Sequence, residues 1–311
     1  MTQIDSSASA LDKLLCVAEG AYSPRTLKGY AADLKVFIKW CSARLCNWLP
    51  ATPNALADFV DAQIQQHCIA TIKRRLCAIA FVHRLRDLPT PTEHNLVQLA
   101  VRRAARLKAR RPKQVRGLTR DILTKILAAC PDTLAGLRDG ALLSVGYDTL
   151  CRSSELAVME VQRVSFEEDG TATILIPHSK SDAAGDGRLA YLSPETAILL
   201  SRWLDASGLP RGPLFRALHL NRPYEGPLAT SSIRRIIKRA THRAGFDASI
   251  SGVLSGHSMR IGAAQDMMVA GFDALAIMQA GGWKSASVVL RYVENAATRE
   301  LHERRWRSLR T

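Results

Sequence analysis

Along almost the whole chain the apolar residues recur at helical spacing, and at only one place do they switch to alternation. Between Thr171 and Pro194 the residues Thr171, Thr173, Leu175 and Pro177 alternate with Ala172, Ile174 and Ile176; HSKSDAAGDGR follows, then LAYLSP. A period of two suits a half-buried strand, a period near 3.6 suits an amphipathic helix, and neither pattern serves for the other. The chain is therefore restricted to a mainly α fold with one small β-hairpin or sheet, its two strands joined by a glycine-rich loop. At 311 residues, two domains are the natural expectation.

Residues 1–9 read as a disordered polar tail, and residues 10–109 as a small all-helical domain. Leu11, Leu14, Leu15 and Ala18 make a first short helix. Ser23-Pro24 sets an N-cap before a proline at the first helical position, ahead of Leu27, Tyr30, Leu34, Phe37, Ile38 and Cys41; Thr52-Pro53 repeats the device. A helix from about Ala70 to Arg86 is expected to expose Lys73, Arg74 and Arg75, and the next, from near Thr92, carries Arg102, Arg103 and Arg106. Nine basic residues and no acidic one lie between Arg102 and Arg120, broken by Pro112 and Gly117, so residues 110–117 read as a basic linker. The second domain, 118–311, continues with helices near 119–129, 137–148 and 194–206. A basic helix opened by Thr230-Ser231 then sets Arg234, Arg235, Lys238 and Arg239 opposite Ile233, Ile236, Ile237 and Ala240. Leu301, Trp306 and Leu309 mark a last basic helix whose apolar residues need a surface to bury against.

The net charge of +15 points to a polyanionic partner, and nucleic acid fits it better than a membrane surface, because no helix is strongly amphipathic and basic in the manner of an interfacial anchor. No window approaches eighteen consecutive apolar residues, and MTQIDSSASA lacks the basic start and apolar run of a secretory signal, so a cytoplasmic protein is expected. The cysteines (16, 41, 46, 68, 77, 130, 151) are odd in number, never spaced C-x-x-C, and mostly set among apolar neighbours. Buried reduced thiols and a metal-free protein are expected.

The polar residues of Ser255–Asn295 fall where an apolar helical pattern starts, breaks or restarts, which is where groups that meet a ligand are placed. His257 and Arg260 stand three apart near a helix start and share one face. Gly281-Gly282 ends a second helix, Trp283 follows in the turn, and Ser285 or Ser287 opens a third that carries Tyr292. Spacing alone leaves an ordinary polar pair open, since His-x-x-Arg also occurs at His83/Arg86 and His302/Arg305. The order of the elements decides otherwise. SGHSMRIGAAQDMMVAG, AIMQAGGWKS and LRYVEN resemble the tyrosine recombinase (phage integrase) family, closely over residues 147–155 and 255–292 and loosely over nearly the whole chain.

The resemblance implies a two-domain enzyme, with a helical core-binding domain and a catalytic domain carrying a small β-hairpin, that cuts and rejoins duplex DNA through a covalent 3′-phosphotyrosine and a Holliday junction. It assigns Tyr292 as nucleophile, Arg152 and Arg260 as the catalytic arginines, Glu155 as their support, His257 as a phosphate and proton-transfer partner, and Trp283 as a phosphate-oxygen donor. Lys180 becomes the general acid, with His178 and Arg188 as rivals. The chemistry is coherent: a phenol conserves the bond energy as an ester, so strands reseal without ATP, metal or other cofactor. Planar guanidinium forks hold non-bridging oxygens as charge builds. The family also implies paired inverted-repeat DNA sites and a homotetramer joined through the C-terminal helix. Lys28, Lys73, Arg74, Arg75, Arg102, Arg103, Arg106, Arg234, Arg235, Lys238 and Arg239 are the expected DNA contacts. A non-cleaving DNA-binding protein of the same fold and a type IB topoisomerase are the alternatives.

Overall fold

The computed structural model describes residues 11–108, 115–177, 187–294, 296, 302, 306 and 307. The expectations for the tail at 1–9, for Lys180 and His178, and for Leu301 and Leu309 lie outside these residues. The chain divides into two compact units between Lys113 and Gln114.

In the first unit the capping signals act as their chemistry requires. Ser23 Oγ accepts the Thr26 amide at 3.1 Å ahead of α1 (Pro24–Ser42), and Thr52 Oγ1 accepts that of Ala55 at 3.2 Å ahead of α2 (Pro53–Gln63). Helices α3 (Ile69–Leu85) and α4 (Asn95–Leu107) follow, and residues 11–16 form the expected short helix ahead of α1. Leu34, Phe37, Leu56, Phe59, Val60, Ile72, Val82, Val97 and Ala100 fill its core, with the Phe37 and Phe59 rings edge-on at 4.9 Å. His83, fully buried, accepts the Ala51 amide at Nε2 (2.9 Å) and meets the Ile79 carbonyl at Nδ1 (2.8 Å); burial holds its imidazole below the ordinary value.

One expectation for α3 is corrected here. Arg75 is not exposed: its side chain is buried beside Asp33, with Nε 3.7 Å from Oδ1, while Arg74 takes the same carboxylate with two 2.7 Å hydrogen bonds. Asp33 is carried into the interior on the face of α1 that bears Leu34 and Phe37, and a buried carboxylate needs cations close by.

The second unit is built around α6 (Leu134–Asp148), buried from Gly136 through Tyr147 apart from half-buried Leu137, with α5 (Arg120–Ala128) beside it. It packs against α8 (Pro194–Ser207) and α11 (Ser258–Val269). The sheet has three antiparallel strands in the order β1 (Val164–Phe166), β2 (Ala172–Ile176), β3 (Arg188–Leu192), in register Val164↔Ile174 and Ile174↔Ala190. The sequence announced two strands; β1 is a three-residue strand with no buried side chain, too short to display alternation. A further short pair, β4 (Leu218–His219) and β5 (Arg222–Pro223), lies in the Pro/Gly-rich segment, where the Leu214 carbonyl accepts the indole N–H of buried Trp203 at 2.9 Å.

The remaining helices are α7 (Ser153–Ala157), α9 (Thr230–Arg243), α10 (Ala248–Val253), α12 (Ala274–Gly281) and α13 (Ala286–Val293). Thr230 and Ser231 lie inside α9 rather than capping it, the cap position being Ala229; Ser285 stands at the cap of α13 but spends its hydroxyl on Ser287, 2.8 Å away. The cysteine expectation holds only in part. Cys41 and Cys151 are buried free thiols, Cys46 and Cys130 are half-buried, and Cys16, Cys68 and Cys77 are exposed, because they sit on outward helix faces or ends. No helix among the described residues is long and apolar enough to cross a membrane.

A strap at residues 117–120 runs along α11. The Leu118 amide donates to Ser258 O (2.7 Å), the Arg120 amide to Asp266 Oδ2 (2.7 Å), and Tyr147 Oη to the same oxygen (2.5 Å). A Cβ on Gly262 would stand 1.9 Å from the Leu118 carbonyl oxygen, so only glycine lets the strap lie this close.

Candidate active site

Arg152 occupies the N-cap of α7, and Glu155, at the third helical position, folds back to it. Glu155 Oε2 accepts the Arg152 amide at 2.9 Å while Oε1 takes Nη1 at 2.5 Å. The carboxylate is thus both cap and counter-ion, and only 3% of Glu155 is exposed. Buried Leu150, Cys151, Leu156 and Ala157 fix this turn against the core. Leu150 has φ of 49°, a left-handed conformation costly for a branched residue, and its carbonyl accepts Nη1 of Arg260. Ser153 Oγ donates to Gly256 O at 2.9 Å, joining the turn to the loop before α11.

Arg260 lies in the first turn of α11 and is 1% exposed. Its Cζ stands 3.8 Å from the Trp283 ring centroid, so the indole face carries the guanidinium by a cation–π contact. Burial, and then the charge of Arg152, lower its pKa to about 10, which leaves it a cation at neutral pH. Nη2 is buried and has no hydrogen-bond partner among the described residues. His257, at the N-cap of α11, keeps an exposed edge, but its burial against the site and the charges of Arg260 and Arg152 hold its imidazole below the ordinary value. At neutral pH it is an uncharged imidazole beside two cations.

The Gly-Gly-Trp turn makes sense atom by atom. Gly282, with φ of 65°, supplies the left-handed residue that ends α12. A Cβ on Gly281 would fall 2.0 Å from Cζ3 of Trp283, so that glycine makes room for the ring. Tyr292, half-buried on α13, meets Trp283 edge-on with centroids 6.0 Å apart, and a charge on its phenol is felt by Arg260. Its backbone carbonyl accepts Nε2 of Gln265 at 3.1 Å.

The structure thus gathers Arg152, Glu155, His257, Arg260, Trp283 and Tyr292 around one place. Gln265 and the Leu150 carbonyl escaped sequence reading, as did the seat that the Trp283 ring face gives Arg260. Arg188 also belongs to the site: Nη1 donates to Ala280 O (3.1 Å) and Nη2 to Thr149 O (2.5 Å). Among the described residues no group of three or more His, Cys, Asp or Glu side chains could hold a metal ion.

Of the expected DNA contacts, Lys28, Lys73, Arg102, Arg106, Arg234 and Arg235 are exposed, and Lys238 is half-buried. Arg74, Arg103 and Arg239 are exposed but ion-paired, with Asp33, Asp61 and Asp139 respectively.

Residues 116–299 match the phage integrase family, and residues 15–87 match the phage integrase N-terminal SAM-like domain. The chain is 31% identical over 293 residues to "Recombinase cre" of Escherichia phage P1, covering 88% of this chain and 85% of that one. The chain belongs to the phage integrase family. It is a tyrosine-type site-specific recombinase, and it is equally similar, 31% over 290 residues, to "Integrase/recombinase xerD homolog" of Selenomonas ruminantium, covering 89% of this chain and 83% of that protein. The fold of this family member is shared with the XerH site-specific recombinase in a post-cleavage complex with its palindromic difH substrate. There the TM-score is 0.68 at 18% identity, over 95% of this chain and 83% of that one.

Proposed function

We propose that this recombinase opens duplex DNA by attack of the Tyr292 phenolic oxygen on a backbone phosphorus. The new bond is O–P; the bond that breaks is P–O5′, leaving a 3′-phosphotyrosine and a 5′-hydroxyl. The phenolic proton leaves by way of His257, whose neutral imidazole can accept it, and the departing O5′ takes a proton from Lys180. The same steps in reverse, with a different 5′-hydroxyl, seal the strand to its new partner, and no external energy is consumed because the ester conserves the bond.

The observation that carries this reading is Arg260: a buried guanidinium, seated on the Trp283 ring, within electrostatic reach of Arg152 and Tyr292, with a donor that no group among the described residues satisfies. A phosphate oxygen supplies what that donor lacks, and its growing charge in the transition state is met by a pre-placed cation. In the same reading the partner is double-stranded DNA with paired inverted-repeat sites. Two pairs of protomers exchange strands through a Holliday junction, and the C-terminal helix docks on a neighbouring protomer. The 54% exposure of Trp306 leaves an aromatic there for such a contact to cover.

Tyr292→Phe tests the reading. The variant should bind DNA nearly as well as the wild type and form no covalent adduct on a nicked suicide substrate; an adduct from that variant would remove Tyr292 from the role. On a plasmid with two sites the wild type should exchange strands, whereas relaxation without exchange would favour topoisomerase chemistry.

A further inference from the structure

We infer that Arg188 is a positioning residue, one that ties β3 to the two turns from which Arg152 and Trp283 project; the inference rests on the phosphotyrosine reading above. The side chain leaves the first residue of β3, directly opposite Ile176 on β2. Its Nη2 reaches the Thr149 carbonyl, one residue before the left-handed Leu150 and three before Arg152, and its Nη1 reaches the Ala280 carbonyl, three before Trp283. The stem also passes over the Gly-Gly turn: a Cβ on Gly282 would come within 2.9 Å of Arg188 Cδ. One planar fork therefore joins β3, the Arg152 turn and the Trp283 turn. A lysine ammonium is a single point on a flexible stem and cannot hold two carbonyls in that fixed geometry.

This arrangement also removes Arg188 from contention as the proton donor to O5′. Two of its terminal nitrogens are committed to carbonyl oxygens, and although burial lowers its pKa, a guanidinium does not give up its proton in a protein. Electrostatically it adds a third cation to the site: its charge acts on Arg260, and it is itself acted on by Arg152 and by the Glu155 carboxylate.

The test uses the full-length protein, with Arg188→Met, which keeps the stem and loses the fork, and Arg188→Lys, which keeps the charge. Single-turnover cleavage is measured on a suicide substrate and on the same DNA with a bridging 5′-sulfur at the scissile position, where the leaving group needs no proton. We expect cleavage to fall on the order of 10- to 100-fold in Arg188→Met, as for other displaced catalytic groups, with DNA affinity held within about twofold. Arg188→Lys should recover only part of the loss, and the 5′-sulfur should rescue neither variant. Wild-type rates in Arg188→Met, full recovery in Arg188→Lys, or full rescue by sulfur would each overturn the inference, the last by confining Arg188 to the leaving group. The wild-type adduct in the same assay reports separately on the phosphotyrosine reading.

Discussion

The second unit contains two clusters of one carboxylate and three arginines, and they are wired differently. Around Asp139, which is fully buried, Arg138 places Nη2 at 2.7 Å and Nε at 3.1 Å from Oδ1, Arg239 places Nη2 at 2.9 Å from Oδ2, and Arg243 lies at 3.6 Å from the same oxygen. All three cations point at the acid. Around Glu155 only Arg152 does so, while Arg188 and Arg260 direct their donors to the carbonyls of Thr149, Ala280 and Leu150. Carbonyl dipoles orient a guanidinium without cancelling its charge. The first cluster is a clamp between α6 and α9, largely self-satisfied; the second holds its cations in place with the charge still available. The chemistry of a site is thus set less by how many arginines it collects than by whether the carboxylate or the backbone holds them.

The largest effect should come from breaking the clamp. Asp139→Ala leaves Arg138 buried without its counter-ion, and removal of one partner of such a pair costs about 3–5 kcal/mol, to be read as a lower urea midpoint. A change under about 1 kcal/mol would mean that the Asp139 cluster is held by packing and that the contrast between the two sites is false. Next comes Arg260→Lys. An ammonium cannot keep the Leu150 carbonyl, the Trp283 face and a phosphate oxygen together, so cleavage should lose about 3 kcal/mol of transition-state stabilisation, read as the single-turnover rate. Its urea midpoint should move less than that of Asp139→Ala. Near-normal cleavage would take Arg260 out of the chemistry.

The elements of this contrast were unevenly legible in the sequence. His257, Arg260, Trp283 and Tyr292 lie within one short stretch, at helix starts and a glycine turn, and their order pointed to the site before any coordinates did. The helical domains and the hairpin followed from the change of period at Thr171. Arg188 was visible only as a rival proton donor, because its partners are backbone carbonyls, which carry no residue-type signature. The burial of Arg75 was missed for a related reason. Helical spacing sets it beside exposed Arg74, and nothing nearby in sequence announces Asp33. The Asp139 clamp joins residues a hundred positions apart and reads, locally, as an ordinary basic helix face.

The smallest effect sharpens the comparison through pH. The Glu155 cluster has a titrating neighbour in His257, because burial and the charges of Arg260 and Arg152 hold its folded imidazole below 6.5. As pH falls through that ordinary value the unfolded chain takes up a proton that the folded chain refuses, and stability must fall with it until the depressed folded value is passed. Buried His83 adds a slope of the same sign in the first unit, so the measurement is the difference between the wild type and His257→Gln, which should lose less stability on acidification. DNA reverses the sign at this residue. A phosphate beside the imidazole offsets the two cations and draws its pKa back up, so binding near pH 6 should take up a fraction of a proton, seen as a binding enthalpy that depends on the buffer's own heat of ionisation. Binding without such uptake, in the wild type and His257→Gln alike, would place the phosphate away from His257 and leave the open charge of the Glu155 cluster facing something else.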